Sequence, residues 1–191
     1  MTSDIPSLIE QNWQSITSDT LWRIKSLLDA VRTLIADIKE EEHGDFIITE
    51  GDPTIAAGLY TFAVEEYGKY LYLKSLEPID GKYHIDYTNE FKKHPKKFDR
   101  ALSNLPKECT LVNLGKKEDP WYHDPNVHDD VIANFETRLR IFYSDFDPNN
   151  ANKIPKHEPS VDVKLLKIGV QKLWEIVDFE YRKLLSEKNK K

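Results

Sequence analysis

Two adjacent glutamates, Glu65 and Glu66, lie in a stretch with helical spacing in which most other side chains are apolar or aromatic. At about 100° per residue, Glu66 falls inside the apolar arc that starts from Ala56, and Glu65 points to solvent. A carboxylate left unpaired among apolar side chains is costly. Two interpretations stay open: a surface ion pair of Glu66 with Lys69, or a polar cluster inside a helical bundle.

A second ionisable group is predicted on a later helix. With Phe135 as the centre of its core face, Arg138 lies about 60° away, on the flank of that face, and Arg140 points outward. The planar guanidinium of Arg138 suits a carboxylate such as Asp145 or Glu66. Structural pairing and chemistry both account for an arginine at this position.

The third group is a dense basic segment around His94. It consists of Lys92, Lys93, Lys96, Lys97 and Arg100, with Phe91 and Phe98 beside them. Lysines next to aromatic rings suit a phosphate backbone with stacked bases. The alternative is a solvated helix face whose two phenylalanines belong to the core.

Composition limits the remaining choices. The chain has 191 residues, a formal net charge of −6 and a pI near 5.6, which excludes a globally basic nucleic-acid binder but not a local basic patch. Its one cysteine, Cys109, excludes an internal disulfide and a multi-cysteine zinc site. We expect a single domain over residues 1–191, with its core at about 18–185 and a flexible tail at 186–191.

The sequence favours a cytoplasmic protein without metal or cofactor. No apolar run is long enough to cross a bilayer, and the first residues lack the pattern of a secretory signal. His123, Asp124 and the segment 128–130 cluster, but their spacing matches no defined metal site. No glycine-rich phosphate loop is present.

Apolar residues recur at helical spacing along most of the chain. The predicted helices run over Thr20–Glu42, Asp52–Leu76, Tyr83–Leu105, Val127–Tyr143 and a last segment after Ser160. Phe46–Thr49 is too short to assign. The pattern is typical of an all-α antiparallel bundle of four to five main helices with irregular loops.

Particular residues define the expected helix ends. Ser18 or Asp19 caps the first long helix and Gly44 stops it, and the segment before it forms a short helix of its own. Ser160 caps the last helix, with Asp162 in its first turn. Pro95 either pushes His94 out of helical geometry or marks a restart of the helix. Gly68 leaves space where another backbone could approach.

Three ordered blocks resemble the AbiV-type branch of the HEPN superfamily. Residues 63–69, AVEEYGK, are similar to its A-x-E-E-x-G-K helix, and residues 91–97, FKKHPKK, to its F-x-x-H-x-x-K segment. Residues 140–145, RIFYSD, followed by Pro155 or Pro159, look like its terminal K/R-x-x-(L/F)-Y-x-D … P block.

The resemblance implies a helical bundle, often dimeric, and RNA cleavage in phage defence by abortive infection. The nuclease signature of HEPN proteins is an arginine followed, after four to six residues, by a histidine, and two signatures usually meet across a homodimer. Here Tyr143 stands in place of the histidine after Arg138, and tyrosine is a poor base near neutral pH. His94 is our hypothesis for the missing imidazole.

The first functional hypothesis is therefore an abortive-infection effector that acts on RNA as a metal-independent ribonuclease. Its catalytic group comprises His94, Arg138, Tyr143 and Glu66, and its binding group comprises Lys69, Lys97, Arg140 and Asp145. RNA and an antitoxin or phage protein are the expected partners. The alternatives are a non-catalytic HEPN module that binds RNA, a nucleotide or a protein, and a helical interaction protein with an acidic surface.

Overall fold

The computed structural model describes residues 13–43, 46–50, 53–80, 82–110 and 161–188, and within them the chain forms an all-α bundle with one small hairpin. In chain order the elements are α1 (Trp13–Ala36), β1 (Lys39–His43), β2 (Phe46–Glu50), α2 (Pro53–Ser75), a π-helical turn (Tyr87–Phe91), α3 (His94–Leu102), a 3₁₀ turn (Lys107–Cys109) and α4 (Val163–Lys188). The predicted all-α class is confirmed.

Helices α1 and α4 bury the stripes that their sequence spacing predicts. The buried stripes contain Leu21, Ile24, Leu28, Val31 and Ile35 on α1, and Val163, Leu166, Val170, Leu173 and Val177 on α4. Each fully buried aliphatic side chain contributes roughly 1.5–3 kcal/mol. The two helices pack against each other, and α1 also packs along α2.

Helix α2 lies at the centre of the bundle. It contacts α1, α3 and α4, and its buried residues include Ala56, Val64, Gly58 and Leu73, which at about 100° per residue point in different directions around the helix. Helix α2 therefore has no single apolar face opposed to a single polar face. This packing decides which of its two adjacent glutamates is buried.

The predicted ends of the first long helix are wrong. Helix α1 begins before residue 20, and the described part of the preceding segment, from Trp13, is continuous with it. Ser18 lies inside the helix and donates its hydroxyl to the Ser15 carbonyl (2.9 Å) rather than capping. The helix ends at Ala36, after which the chain enters β1.

Strands β1 and β2 form an antiparallel hairpin in which Lys39 pairs with Glu50 and His43 with Phe46. The stretch Phe46–Thr49, which is too short to assign from the sequence, belongs to this hairpin. Its isoleucines and threonine have high strand propensity. Gly44, the predicted stop signal, lies outside the described residues.

The second predicted helix is confirmed, because α2 runs over Pro53–Ser75. The third is divided. A π-helical turn at Tyr87–Phe91 precedes α3, and the helix restarts at His94 with Pro95 in its first turn. A proline is tolerated there because the first-turn N–H groups have no helical partner.

Asp162 caps helix α4, and the predicted cap, Ser160, lies outside the described residues. The Asp162 carboxylate accepts a hydrogen bond from the Leu165 backbone N–H (2.9 Å). Residues 186–188, which the sequence predicts as tail, continue α4. The predicted helix Val127–Tyr143 lies outside the described residues.

Glu180 ties α4 to α2. Its Oε1 lies 2.8 Å from Lys74 Nζ, and its Oε2 accepts a hydrogen bond from the Tyr70 hydroxyl (2.8 Å). Burial raises the pKa of Glu180, but the contacts with Lys74 and Tyr70 outweigh burial and leave this pKa below its ordinary value of 4.5. The carboxylate is therefore more stable in the folded protein than in the unfolded chain.

We expect Glu180→Gln to flatten the pH dependence of stability on the acid side. A lowered folded-state pKa gives stability that is present above about pH 4.5 and lost as pH falls through the lower value. The variant should lose about 1 kcal/mol at neutral pH and little at pH 3. Urea unfolding at several pH values measures this, and Glu175→Gln, at a half-exposed side chain, is the control. Equal losses at both pH values would contradict the expectation.

Candidate functional site

Glu65, rather than Glu66, is the buried carboxylate of α2. Glu65 is 3% exposed, and its Oε1 lies 2.6 Å from His94 Nδ1 and 2.5 Å from Lys97 Nζ. The sequence prediction that Glu65 faces solvent is wrong. A carboxylate can be buried here because two cationic or hydrogen-bonding side chains of α3 meet it.

Glu66 lies at the rim of the bundle. Its side chain is 24% exposed and forms an ion pair with Lys69 (3.1 Å). The interpretation of Glu66 as half of a surface pair is confirmed, and the placement of Glu66 in the apolar arc is wrong. The apolar residues Ile55 and Phe62 are 50% and 36% exposed and mark the outward side of α2.

Gly68 brings α3 against α2. A Cβ atom at Gly68 would lie 1.8 Å from the Lys97 carbonyl oxygen, so only glycine allows the two backbones to approach this closely. The prediction that Gly68 accommodates another backbone is confirmed. Glu65 and Gly68 are three residues apart on α2, as His94 and Lys97 are on α3, so each pair shares one helix face.

The geometry fixes the orientation of His94. A carboxylate only accepts hydrogen bonds, so the Nδ1 atom that faces Glu65 carries the proton. In the neutral imidazole, Nε2 is then the acceptor. The His94 side chain is 47% exposed, whereas that of Glu65 is 4% exposed. A half-exposed ring that is oriented by a buried carboxylate can act as a general base.

Lys97 does not belong to the exposed basic patch. Its side chain is 7% exposed and its ammonium contacts Glu65, so a role for Lys97 as a surface phosphate ligand does not fit this position. Its charge compensates that of Glu65. The pair Glu65–Lys97 is a buried ion pair, and loss of one partner would leave the other uncompensated.

The remaining basic segment is divided between ion pairs and exposed surface. Glu90 binds Lys96 Nζ and Arg100 Nη2, each at 2.5 Å, and these hydrogen bonds lower the pKa of Glu90. Lys92 and Lys93 are exposed. The basic patch of the described surface therefore narrows to Lys92 and Lys93, with Lys96 at its edge.

The two phenylalanines of the basic segment have different positions. Phe98 is 1% exposed and belongs to the core, as the alternative interpretation of this segment predicts. Phe91 is half-buried, and Lys69 Nζ lies 4.5 Å from the centre of its ring. Lys69, predicted as a binding residue, thus contacts both Glu66 and Phe91.

Arg138, Arg140, Tyr143 and Asp145 lie outside the described residues, as do His123 and His128. Within the described ranges, no group of three or more His, Cys, Asp or Glu side chains could hold a metal ion. Nor is any helix of those ranges long and apolar enough to span a membrane. Burial raises the pKa of the Cys109 thiol to about 12, so Cys109 is not a reactive thiolate at neutral pH.

Sequence reasoning missed Glu65 and the π-helical turn. The residues 63–69 that carry the family resemblance contain both glutamates, and that block is the available signal for Glu65. Glu65 and His94 are 29 residues apart in the sequence, so the spacing of residues within one helix cannot predict their contact.

Fold and site together define an all-α bundle that holds a glutamate–histidine–lysine cluster between its central helix and a short neighbouring helix. No protein-family model, no curated protein and no solved structure significantly matches this chain.

Proposed function

We propose that this protein is a HEPN-like effector of the AbiV type that acts on RNA in abortive infection, and that it cleaves RNA without a metal ion. The observation that carries the proposal is the Glu65–His94 pair, in which a buried carboxylate orients a half-exposed imidazole. Further support is that two of the three family-like blocks contribute to one cluster, Glu65 and Gly68 from the first and His94 and Lys97 from the second.

The proposed reaction is attack of an RNA 2′-hydroxyl on the adjacent phosphorus. His94 Nε2 takes the 2′-hydroxyl proton as O2′ bonds to phosphorus, the P–O5′ bond breaks, and the departing O5′ takes a proton from water, which the His94 imidazolium then replaces by releasing its own proton. The products are a 2′,3′-cyclic phosphate and a 5′-hydroxyl. Glu65 stabilises the imidazolium that forms. The family resemblance assigns the phosphate charge to Arg138.

The other parts of the proposal are a cytoplasmic homodimer whose partners are RNA and an antitoxin or phage protein. They rest on the family resemblance. Arg140, Tyr143 and Asp145 keep the roles that the resemblance implies. Lys69, which pairs with the rim residue Glu66 one helical turn from Glu65, is a candidate phosphate ligand.

A non-catalytic module is the second candidate, and one observation favours it. Lys97 already compensates the charge of Glu65 in the interior, an arrangement that a purely structural cluster would also show. This candidate predicts an intact polar cluster that binds RNA, a nucleotide or a protein without cleaving RNA.

Substitution of His94 separates the two candidates. We expect His94→Ala to lower the rate of RNA cleavage by about 100- to 10,000-fold, because the general base is lost. His94→Gln keeps a donor for Glu65 and should be equally inactive but fold normally. A labelled RNA assay with end-group analysis measures the rate, and relief of growth arrest by His94→Ala or Arg138→Ala gives a cellular readout.

The matched control is His84→Ala, since His84 is also an exposed histidine. It should cleave at the wild-type rate. Cleavage by His94→Ala at the wild-type rate would refute the role of His94. A wild-type protein that binds RNA but leaves it intact would replace the nuclease proposal with the non-catalytic module.

A further inference from the structure

The π-helical turn before α3 carries two stacked aromatic rings with a lysine at each. The ring centres of Tyr87 and Phe91 are 5.5 Å apart with an interplanar angle of 28°. Lys92 Nζ lies 5.2 Å from the Tyr87 ring centre, and Lys69 Nζ lies 4.5 Å from that of Phe91. Tyr87 is 41% exposed and Lys92 is an exposed side chain, so the surface presents a ring with an ammonium group lying over it.

This turn is held in place from several sides. Asp86 caps it, because its carboxylate accepts hydrogen bonds from the Asn89 backbone N–H (2.9 Å) and side-chain amide (3.1 Å). The Asp86 backbone N–H donates to the Tyr72 hydroxyl of α2 (2.7 Å). Glu90 is fixed by Lys96 and Arg100. The exposed ring is therefore presented in a set orientation, and ordering it costs a ligand little.

The rings adjoin the candidate catalytic cluster. Phe91 precedes His94 by three residues, and Lys69, which contacts the Phe91 ring, lies one helical turn beyond Glu65 on α2. π-Helical turns are rare and occur frequently at functional sites.

We propose that Tyr87 is a stacking platform for an unpaired base of single-stranded RNA, next to the phosphate that His94 addresses. The proposal deepens the proposed function, on which it rests, and names its substrate class. An aromatic ring flanked by lysines matches the two components of a nucleotide, a π face and an anionic phosphate. Because the chain carries a net charge of −6, a local site of this kind is needed to hold a polyanion.

Stacking on Tyr87 implies a preference for single-stranded over double-stranded RNA. A base inside a duplex is covered on both faces by its neighbours, so it cannot stack on Tyr87 unless it leaves the helix. A base in a single strand has a free face. Stacking accepts any of the four bases, because each has a π face. We therefore expect preference for single-stranded over double-stranded RNA, with little sequence specificity at this position.

The test is fluorescence anisotropy with a labelled single-stranded RNA of about 12 nucleotides, a length suited to the usual site sizes. Full-length Tyr87→Ala should bind about tenfold more weakly than wild type, and Tyr87→Phe within about twofold. Tyr87→Leu, which keeps bulk but lacks the π system, should resemble Tyr87→Ala. Phe179→Ala, at an aromatic side chain that is 67% exposed on α4, is the matched control and should bind normally.

Salt dependence supplies a second readout. If Lys92 and Lys93 each contact a phosphate, the variant Lys92→Gln/Lys93→Gln should reduce the slope of log affinity against log salt by about 1.4, since each single-strand contact contributes about 0.7. Tyr87→Ala should lower affinity with little change of that slope, because stacking releases no counterions.

Each outcome bears on one proposal. Equal binding by Tyr87→Ala and wild type, an equal loss in Tyr87→Phe and Tyr87→Ala, or duplex RNA bound as tightly as single strands would overturn the platform. These outcomes leave the nuclease proposal standing if cleavage still depends on His94. Conversely, the expected Tyr87 series without cleavage by the wild type keeps the platform and refutes the nuclease.

Discussion

Glu65→Leu is expected to lower the free energy of unfolding by about 3–5 kcal/mol, because it leaves the buried ammonium of Lys97 without its carboxylate. Urea unfolding followed by circular dichroism gives this quantity. The loss should be much larger than the usual effect of a single substitution, which is about 1 kcal/mol.

The double variant Glu65→Leu/Lys97→Met tests the reason for the loss. It removes both charges and replaces them with apolar side chains of similar size, so it should recover most of the stability lost in the single variant. Glu66→Leu is the control, since Glu66 lies at the rim with its side chain 24% exposed, and its cost should stay below about 1 kcal/mol. If Glu65→Leu and Glu66→Leu cost the same, the assignment of Glu65 as the buried partner is wrong.

Gly68→Ala is expected to destabilise the protein by about 3 kcal/mol, the upper part of the range for an added atom in a packed interior. The added methyl would lie 1.8 Å from the carbonyl oxygen of Lys97 and 2.6 Å from its carbonyl carbon. Backbone atoms cannot rotate away as a side chain can, so α3 has to move as a unit. The melting temperature should fall by roughly 6–12 °C.

Gly169→Ala provides the comparison. Its added Cβ would lie 2.8 Å from the Glu108 carbonyl oxygen and 3.0 Å from the Tyr60 hydroxyl, so the overlap is smaller than at Gly68 although one of the two atoms is also backbone. We expect it to cost clearly less than Gly68→Ala. Because the Gly68 contact positions His94 and Lys97, Gly68→Ala should also impair any activity of the site at temperatures where the variant is folded. An alanine variant at 68 with wild-type stability would contradict the close approach of α2 and α3.

The sequence was sufficient to predict the buried face of helices that pack on one side only. In α1 and α4 the apolar residues repeat every three to four positions, and the residues of that stripe, such as Ile24 on α1 and Val170 on α4, are buried in the structure. The bounds of α2 and the close approach at Gly68 also follow from local chemistry, a proline at the start of the helix and a residue without a side chain.

Reasoning from helical periodicity failed for α2, which is surrounded by other helices. A helical wheel assigns one face to the core and the other to water, but α2 contacts three other helices. On such a helix, the side on which Glu65 lies is covered by α3 and the side of Glu66 is the rim. Only the fold reveals that α3 supplies His94 and Lys97 to one of these glutamates.

The end of α1 shows a second limit. Ile38 is 6% exposed and continues the apolar spacing beyond Ala36, so the periodicity alone does not locate the last helical residue. The hairpin shows a further limit. The isoleucines and threonine of β2 favour a strand, but β1 (Lys39–His43) consists largely of residues that are rare in strands, so only the pairing of the two segments reveals it.

The central position of α2 divides the site into a fixed half and a movable half. Backbone amides of a helix that is enclosed by its neighbours exchange hydrogen with solvent mainly when the whole domain opens, whereas a peripheral helix of nine residues can detach at lower cost. Glu65, on the enclosed helix α2, therefore keeps its position in the bundle when α3 moves. A displacement of α3 would withdraw the imidazole from its carboxylate, and it would also separate Lys97 from Glu65 and remove Phe98 from the core.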